Sequence, residues 1–491
     1  MPLSKDSKNR DVVAAVIDNE PQPIDSSRVI PVVSSASGEI IHYFSSATTA
    51  QCDKASEAAW RAWQGTSSHP GWKRATVTQR RNLLLKAADL FEQRKDELIE
   101  VQMKETSCAE PWALNGFTMT VNYIREIAAC VSHIKGVIPP IDKPDTMAFV
   151  YKEPVGPVLI IPPWNAALVL ATRAICSALA AGCTALLKAS ELSPLTHTLI
   201  VDIFRDAGCP AGVLNSLSSA RQDAAEITET LIADERIRKV DFIGSAAVGR
   251  IIGVTCAKHL KPILMELGGK CPAIVLDDAD LEKAATLCAR GALLHHGQIC
   301  FSTERIIVQK TVSEKFLELL VAAVKSMPGG TAITEGIAQH AYEVLQDAKE
   351  KGVQFVYGGP EMASKSAVKP ALVQIEPTTR KEDLRIVDEE TFGPSASIYV
   401  VEDDEEAIAI ANRSAYGLNA TIHTQSLERG IKVGRELEYG QVHCNSITVY
   451  TSPTGPQGGR KGSGWGRQNA EWGIEEFLVE KFITYHGKES G

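Results

Sequence analysis

Three short stretches carry side chains that could do covalent chemistry on a carbonyl carbon. HHGQICFSTER places Cys300 behind a glycine and a glutamine. A thiolate is a strong nucleophile and a thioester is readily hydrolysed, so a reactive cysteine suits acyl chemistry. MELGGK puts Glu266 on an otherwise apolar strand directly before two glycines, where burial raises a carboxyl toward the range of a useful general base. PPWNAAL follows the apolar run VLII, and its prolines and tryptophan stiffen a turn that aims Asn165, whose amide is a good oxyanion donor. Each stretch also has a plainer reading: a buried thiol, a water-exposed charge at a strand end, a turn asparagine.

A second set of residues suits a nucleotide. GSAAVG (244–249) follows KVDFI and opens a helical stretch, where backbone N–H groups can receive a pyrophosphate. It lacks the Lys-Ser/Thr ending of a Walker loop, and GxGxxG is absent from the chain. In KASE (188–191), Lys188 and Glu191 stand where a ribose diol could be held, and a carboxylate there repels a 2′-phosphate, favouring NAD over NADP. EETFGP offers Glu390 and Phe392 two residues apart, which in a strand face one side. The alternatives for the first two are an ordinary turn and a solvated charge pair.

These residues need elements to hold them. From 157 to 275 short apolar runs (VLII, TALLK, GVLNSL, KVDFIG, PILMEL, PAIVL) alternate with amphipathic stretches, which predicts a doubly wound parallel sheet covered by helices. After Cys300 the alternation resumes and predicts a second α/β domain. Residues 50–106 have helical periodicity, and 1–25 read as a polar, loosely held lead-in. The run AALVLATRAICSALAAGCTALL contains Arg173 near its middle and predicts a buried helix leading into a strand rather than a membrane span. A chain of 491 residues exceeds a single core. Net charge −9 and pI near 5.8 argue against nucleic acid as a partner. Eleven cysteines, with no CxxC and no zinc-ligand spacing, imply a reducing, cytoplasmic setting and no metal.

The ordered series PWN, KASE, FIGS…VGR, MELGGK, GQIC, EETFGP and the closing glycine-rich GGRKGSGWGR resembles the NAD(P)-dependent aldehyde dehydrogenase superfamily from about residue 30 to the end. The resemblance implies a cofactor domain (26–135 with 155–266), a catalytic domain (267–468) and a small β oligomerisation element (136–154 with 469–491), assembled as a homodimer or homotetramer. It implies Cys300 as nucleophile, Glu266 as the base for the thiol or the deacylating water, and Asn165 as oxyanion donor beside the Cys300 N–H. Pro163, Trp164, Lys188, Ser190, Glu191, Gly244, Ser245, Val248, Gly268, Glu390 and Phe392 are implied as cofactor contacts. NAALVLATRAI and GQICFSTERI are most similar to the salicylaldehyde and vanillin dehydrogenase branch, which implies an aromatic aldehyde substrate with Trp112, Arg173, Phe301 and Tyr450 around it. Aliphatic aldehydes or semialdehydes, a CoA-acylating enzyme and an inactive binding relative are the alternatives. Two positions depart from the family pattern: His295, with His296 behind it, replaces an asparagine and could titrate near neutral pH or simply pack, and Gln457 replaces an aromatic residue at the substrate mouth.

Overall fold

The computed structural model describes residues 3–487. Its largest sheet has eight strands, in the order Gly464–Trp465, Ile263–Glu266, Lys239–Ile243, Val158–Ile161, Ala185–Ala189, Leu214–Ser218, Val16–Ile17 and Glu20–Pro21. The five strands between Ile263–Glu266 and Leu214–Ser218 pair in parallel. They are almost wholly buried, polar members included, because helices cover both faces. The long apolar run is a helix, Ala167–Ala181, with 14 of its 15 residues buried. It stops at Gly182, whose φ of 94° is the left-handed conformation that ends helices and favours glycine, and the chain turns directly into Ala185–Ala189.

Chain order in this sheet reverses between Val158–Ile161 and Lys239–Ile243. The chain winds outward through Ala185–Ala189 to Leu214–Ser218, then returns to add Lys239–Ile243 and Ile263–Glu266 on the other side. Such a reversal opens a crevice at the carboxyl ends of the strands. The residues at those ends are 162–165, 188–191 and 244–245.

A second sheet runs Phe355–Tyr357, Ala371–Gln374, Ser395–Val401, Thr303–Gln309, Cys271–Val275, Asn419–His423 and Gln441–Cys444. The run PAIVL, which closes the 157–275 alternation in the sequence, belongs here: Cys271–Val275 lies between Thr303–Gln309 and Asn419–His423. The chain leaves the first sheet at Glu266 and enters the second at Cys271. Residues 267–270 therefore join the carboxyl end of one sheet to the amino end of the other, and the site forms along that seam.

The N-terminal segment differs from expectation. Asp11–Val13 pairs with Ile40–Ser45, Val16–Ile17 extends the large sheet, and Val12, Val13 and Ile17 are buried. The run VVAAVI is short enough to be masked by its charged neighbours, yet long enough to supply two short strands in different sheets. Thr146–Pro154 pairs antiparallel with Leu478–His486 along its full length, and pairing within 136–154 is a bridge between Val137 and Val150. Positions 1–2 and 488–491 of the two terminal segments lie outside the described residues. Among the described residues no helix is long and apolar enough to cross a membrane.

Candidate active site

Cys300 occupies a tight turn just before Thr303–Gln309. The Ser302 N–H donates to the Ile299 carbonyl (2.8 Å) and the Ser302 hydroxyl to the Gly297 carbonyl (3.0 Å), which fixes the turn from both sides. The glycine pair of MELGGK has a steric reason. A methyl group on Gly269 would lie 2.5 Å from the Cys300 carbonyl oxygen, and one on Gly268 would lie 2.3 Å from a Glu390 carboxylate oxygen. Only glycine admits such approaches. Among the described residues no hydrogen bond from the Cys300 N–H to a protein acceptor is present, so that donor is available.

The turn opens into a cavity of about 250 Å³ whose lining includes Cys300, Glu266, Asn165, Trp112, Arg173, Phe301 and Tyr450. Cys300 is half-buried, while nine of the other ten cysteines are buried and Cys444 is exposed. Burial, and then the charges of Glu266 and Glu390, push the Cys300 thiol well above its ordinary value, with Arg173 opposing. The thiol is therefore protonated at rest and needs an acceptor for its proton. Asn165 donates one side-chain amide N–H to the Gln298 carbonyl (3.0 Å), which among the described residues leaves its second N–H free, while its backbone carbonyl accepts from Trp112 Nε1 (3.0 Å). Glu266 is buried but not isolated: its Oε2 accepts from Arg173 Nη2 (3.0 Å) and Gln457 Nε2 (2.8 Å), and its Oε1 is buried without a partner. Trp112 and Phe301 are buried in the wall. Tyr450 is exposed at the mouth, edge-on to His443 at 4.9 Å.

The nucleotide candidates lie along the carboxyl edge of the large sheet. Ser245 caps the helix Ala246–Lys258, its hydroxyl accepting from the Val248 N–H (3.3 Å), so this helix presents its amino end at the point of strand reversal. Lys188, buried at the end of Ala185–Ala189, makes no ion pair or hydrogen bond to protein among the described residues. Burial pulls its ammonium down, and Glu191 opposes that shift. A free cation beside a carboxylate and a free helix start fit a ribose and a pyrophosphate. Pro163 and Trp164 follow the next strand, with the Trp164 ring edge-on to Phe392 at 6.1 Å. Ser190 caps the following turn, its hydroxyl accepting from the Leu192 N–H.

Two expectations need correction. Glu390 and Phe392 do not lie in a strand: the segment is a loop, and Phe392 has φ of 50°. The loop is shaped by residues that short-range motifs do not reveal. The buried Glu304 carboxylate accepts from the Thr391 and Phe392 N–H groups (2.8 and 3.0 Å) and pairs with the buried Lys270 (2.5 Å). Glu390 Oε1 accepts from the Gly269 N–H (3.0 Å), and burial, with the charge of Glu304 added, pushes its carboxyl up to about 8. Nor does His295 titrate near neutral pH. It is stacked on Trp112 (5.3 Å, 14°), and burial holds it at about 3.

The same burial affects His197 (about 3), His296 (about 4) and His423 (about 4), against 6.5 for a free imidazole. Between those values the unfolded chain takes up protons that the folded chain refuses. This contribution to stability is full above pH 6.5 and is lost as pH falls toward 4. The ring-proton NMR signals of these histidines should accordingly show little titration between pH 7 and pH 5; a titration midpoint above pH 6 contradicts the neutral assignment of these rings.

Comparison with known proteins agrees with this arrangement. A family model described as "Aldehyde dehydrogenase family" matches residues 23–483. The chain is 38% identical to salicylaldehyde dehydrogenase of Pseudomonas putida over 478 residues, covering 94% of this chain and 96% of that protein. It is 37% identical to vanillin dehydrogenase of Pseudomonas fluorescens over 482 residues, covering 96% and 97%. A crystal structure of salicylaldehyde dehydrogenase from Pseudomonas putida G7 complexed with salicylaldehyde superposes with a TM-score of 0.92 at 36% identity, covering 97% of this chain and 99% of that one. On its sequence, its two-sheet fold and its seam of polar side chains, the chain belongs to the aldehyde dehydrogenase family, whose members oxidise small aldehydes with NAD(P).

Proposed function

We propose that this protein oxidises an aromatic aldehyde to its carboxylic acid through a covalent bond to Cys300, with NAD as the preferred acceptor. The observation that carries the reading is the convergence on one cavity of a half-buried thiol, a buried carboxylate with one free oxygen, and two free N–H donors. The thiol gives its proton to Glu266 Oε1 as sulfur adds to the aldehyde carbon. The resulting oxyanion lies against the second Asn165 N–H and the Cys300 N–H. A dinucleotide bound along the carboxyl edge of the large sheet would supply the hydride acceptor. A thioester on Cys300 remains; Glu266, once it has passed the thiol's proton to solvent, takes a proton from the water that hydrolyses the thioester, and the released thiolate recovers a proton as the acid leaves. Lys188 and Glu191 would hold the adenosine ribose, Gly244, Ser245 and Val248 the pyrophosphate, and Glu390, Phe392 and Gly268 the nicotinamide end.

The substrate class follows from the walls. Trp112 and Phe301 offer flat apolar surface for a ring, and the volume lies just below the range of about 300–1,000 Å³ usual for small-molecule sites. Among the described residues Arg173 is the one cation lining the cavity, and Glu266 already compensates it, which leaves no free cation for the carboxylate of a semialdehyde. The relatives named for salicylaldehyde and vanillin point the same way. Steady-state kinetics across benzaldehydes, straight-chain aldehydes and semialdehydes test this: kcat/KM should be highest for benzaldehydes, and a straight-chain aldehyde or semialdehyde as the best substrate overturns the aromatic assignment.

Glu191 sets the cofactor preference in this scheme. Glu191→Gln removes the charge that opposes a 2′-phosphate and should raise kcat/KM for NADP relative to NAD by about tenfold. An unchanged ratio removes Glu191 from cofactor selection. The ribbon Thr146–Pro154 with Leu478–His486 exposes Met147, Tyr151, Phe482 and Tyr485, apolar surface suited to a second copy of the chain, so we assign it to a homodimer or homotetramer.

A further inference from the structure

We propose that Gln457, which stands where the family pattern has an aromatic residue, is the positioning residue for Glu266: its amide fixes one carboxylate oxygen and leaves the other to take the proton. The inference rests on the reading of Glu266 as the base. A carboxylate only accepts, so the Gln457 atom 2.8 Å from Glu266 Oε2 must be Nε2. Gln457 Oε1 then faces Thr451, whose hydroxyl donates to it (2.7 Å), and the Tyr123 hydroxyl, 3.2 Å from Thr451 Oγ1, must donate in turn. The whole chain Tyr123–Thr451–Gln457–Glu266 therefore has a single donor direction. Its backbone is equally fixed: Gln457 and Gln468 exchange both N–H to carbonyl bonds (3.1 and 2.7 Å), and Gln457 is 1% exposed.

Arg173 reaches the same oxygen, Oε2, from the buried helix. Both donors thus converge on Oε2, while Oε1 is buried without a partner. A guanidinium alone neutralises the carboxylate but lets it rotate about its last bond; the amide, as second donor, sets its plane. A phenylalanine at 457, the aromatic residue of the family pattern, could not donate. In this protein the wall of the cavity next to the base is a polar clamp, and the clamp aims the proton acceptor.

Stopped-flow kinetics with a saturating benzaldehyde and NAD separate the exponential phase, thiol addition with hydride transfer, from the linear phase, thioester hydrolysis. For Gln457→Leu the linear phase should fall about tenfold and the exponential phase less than about threefold, with KM for the aldehyde unchanged or lower. Thr451→Val, which removes only the orienting hydroxyl, should shift the same phase in the same direction and serves if Gln457→Leu does not fold. An unchanged linear phase in the variant that folds, or both phases falling equally with a raised KM, overturns the positioning role. Glu266→Gln run alongside distinguishes the failures: if it too leaves the linear phase intact, the base assignment has failed, and if it alone slows that phase, only the role of Gln457 has.

Discussion

Replacing Cys300 by alanine should abolish aldehyde oxidation, a loss on the order of 10⁴-fold or more, while dinucleotide affinity stays within about twofold. The asymmetry follows from position. Cys300 lies at the seam between the two sheets and lines the cavity, whereas the candidate dinucleotide contacts at Lys188, Glu191 and Ser245 belong to the carboxyl edge of the first sheet. Cys271 is the natural control. Its Sγ donates to the Cys300 carbonyl (3.5 Å), but it is fully buried, and burial pushes its thiol up to about 12. Cys271→Ala should retain most activity. If Cys300→Ala retains turnover comparable to wild type, measured as NADH formation under saturating benzaldehyde, sulfur at this position is not the nucleophile.

Glu266→Gln should slow hydrolysis of the thioester by about 10²–10⁴-fold, the usual worth of a positioned base, and affect NADH formation less. The difference arises because the two proton donors are unlike. A thiol, even one pushed well above its ordinary value, still ionises to a small extent and can add to the aldehyde while waiting on solvent. Water at neutral pH offers no comparable fraction of hydroxide. The first turnover of Glu266→Gln should therefore appear as a burst of NADH, with a rate that rises with pH toward the high value of the thiol. Glutamine keeps the size of the side chain and its contact with Arg173 through the amide oxygen, so the cavity should stay intact. A steady-state rate unchanged from wild type, with hydrolysis limiting, removes Glu266 from the proton-transfer step.

Much of the fold is legible from the runs of apolar residues, because strands buried on both faces leave no polar alternation to confuse them. VLII, TALLK and KVDFIG all become strands of one sheet within a residue or so of their limits. What the pattern does not carry is strand partnership: PAIVL reads like its predecessors but crosses to the second sheet, because the turn at 267–270 reverses nothing and simply hands the chain over. Cys300, Glu266 and Asn165 stood out because each sits beside marked neighbours: a glycine and glutamine, a glycine pair and a proline pair. Gln457 stood out only as a departure. Its bond to Glu266 spans 191 positions, and Thr451 and Tyr123, which orient it, carry no local mark at all. The Lys270–Glu304 pair that shapes the loop around Glu390 is hidden for the same reason. His295 shows the opposite failure: the residue type suggests titration, and only its burial in a stack against Trp112 explains why it does not.

The account stands most directly on one mass measurement. Glu266→Gln, mixed with benzaldehyde and NAD and quenched in acid after the burst, should yield a single acylated peptide, with the added mass on Cys300. Acylation mapped to another side chain, or no covalent acyl enzyme although NADH has formed, contradicts it.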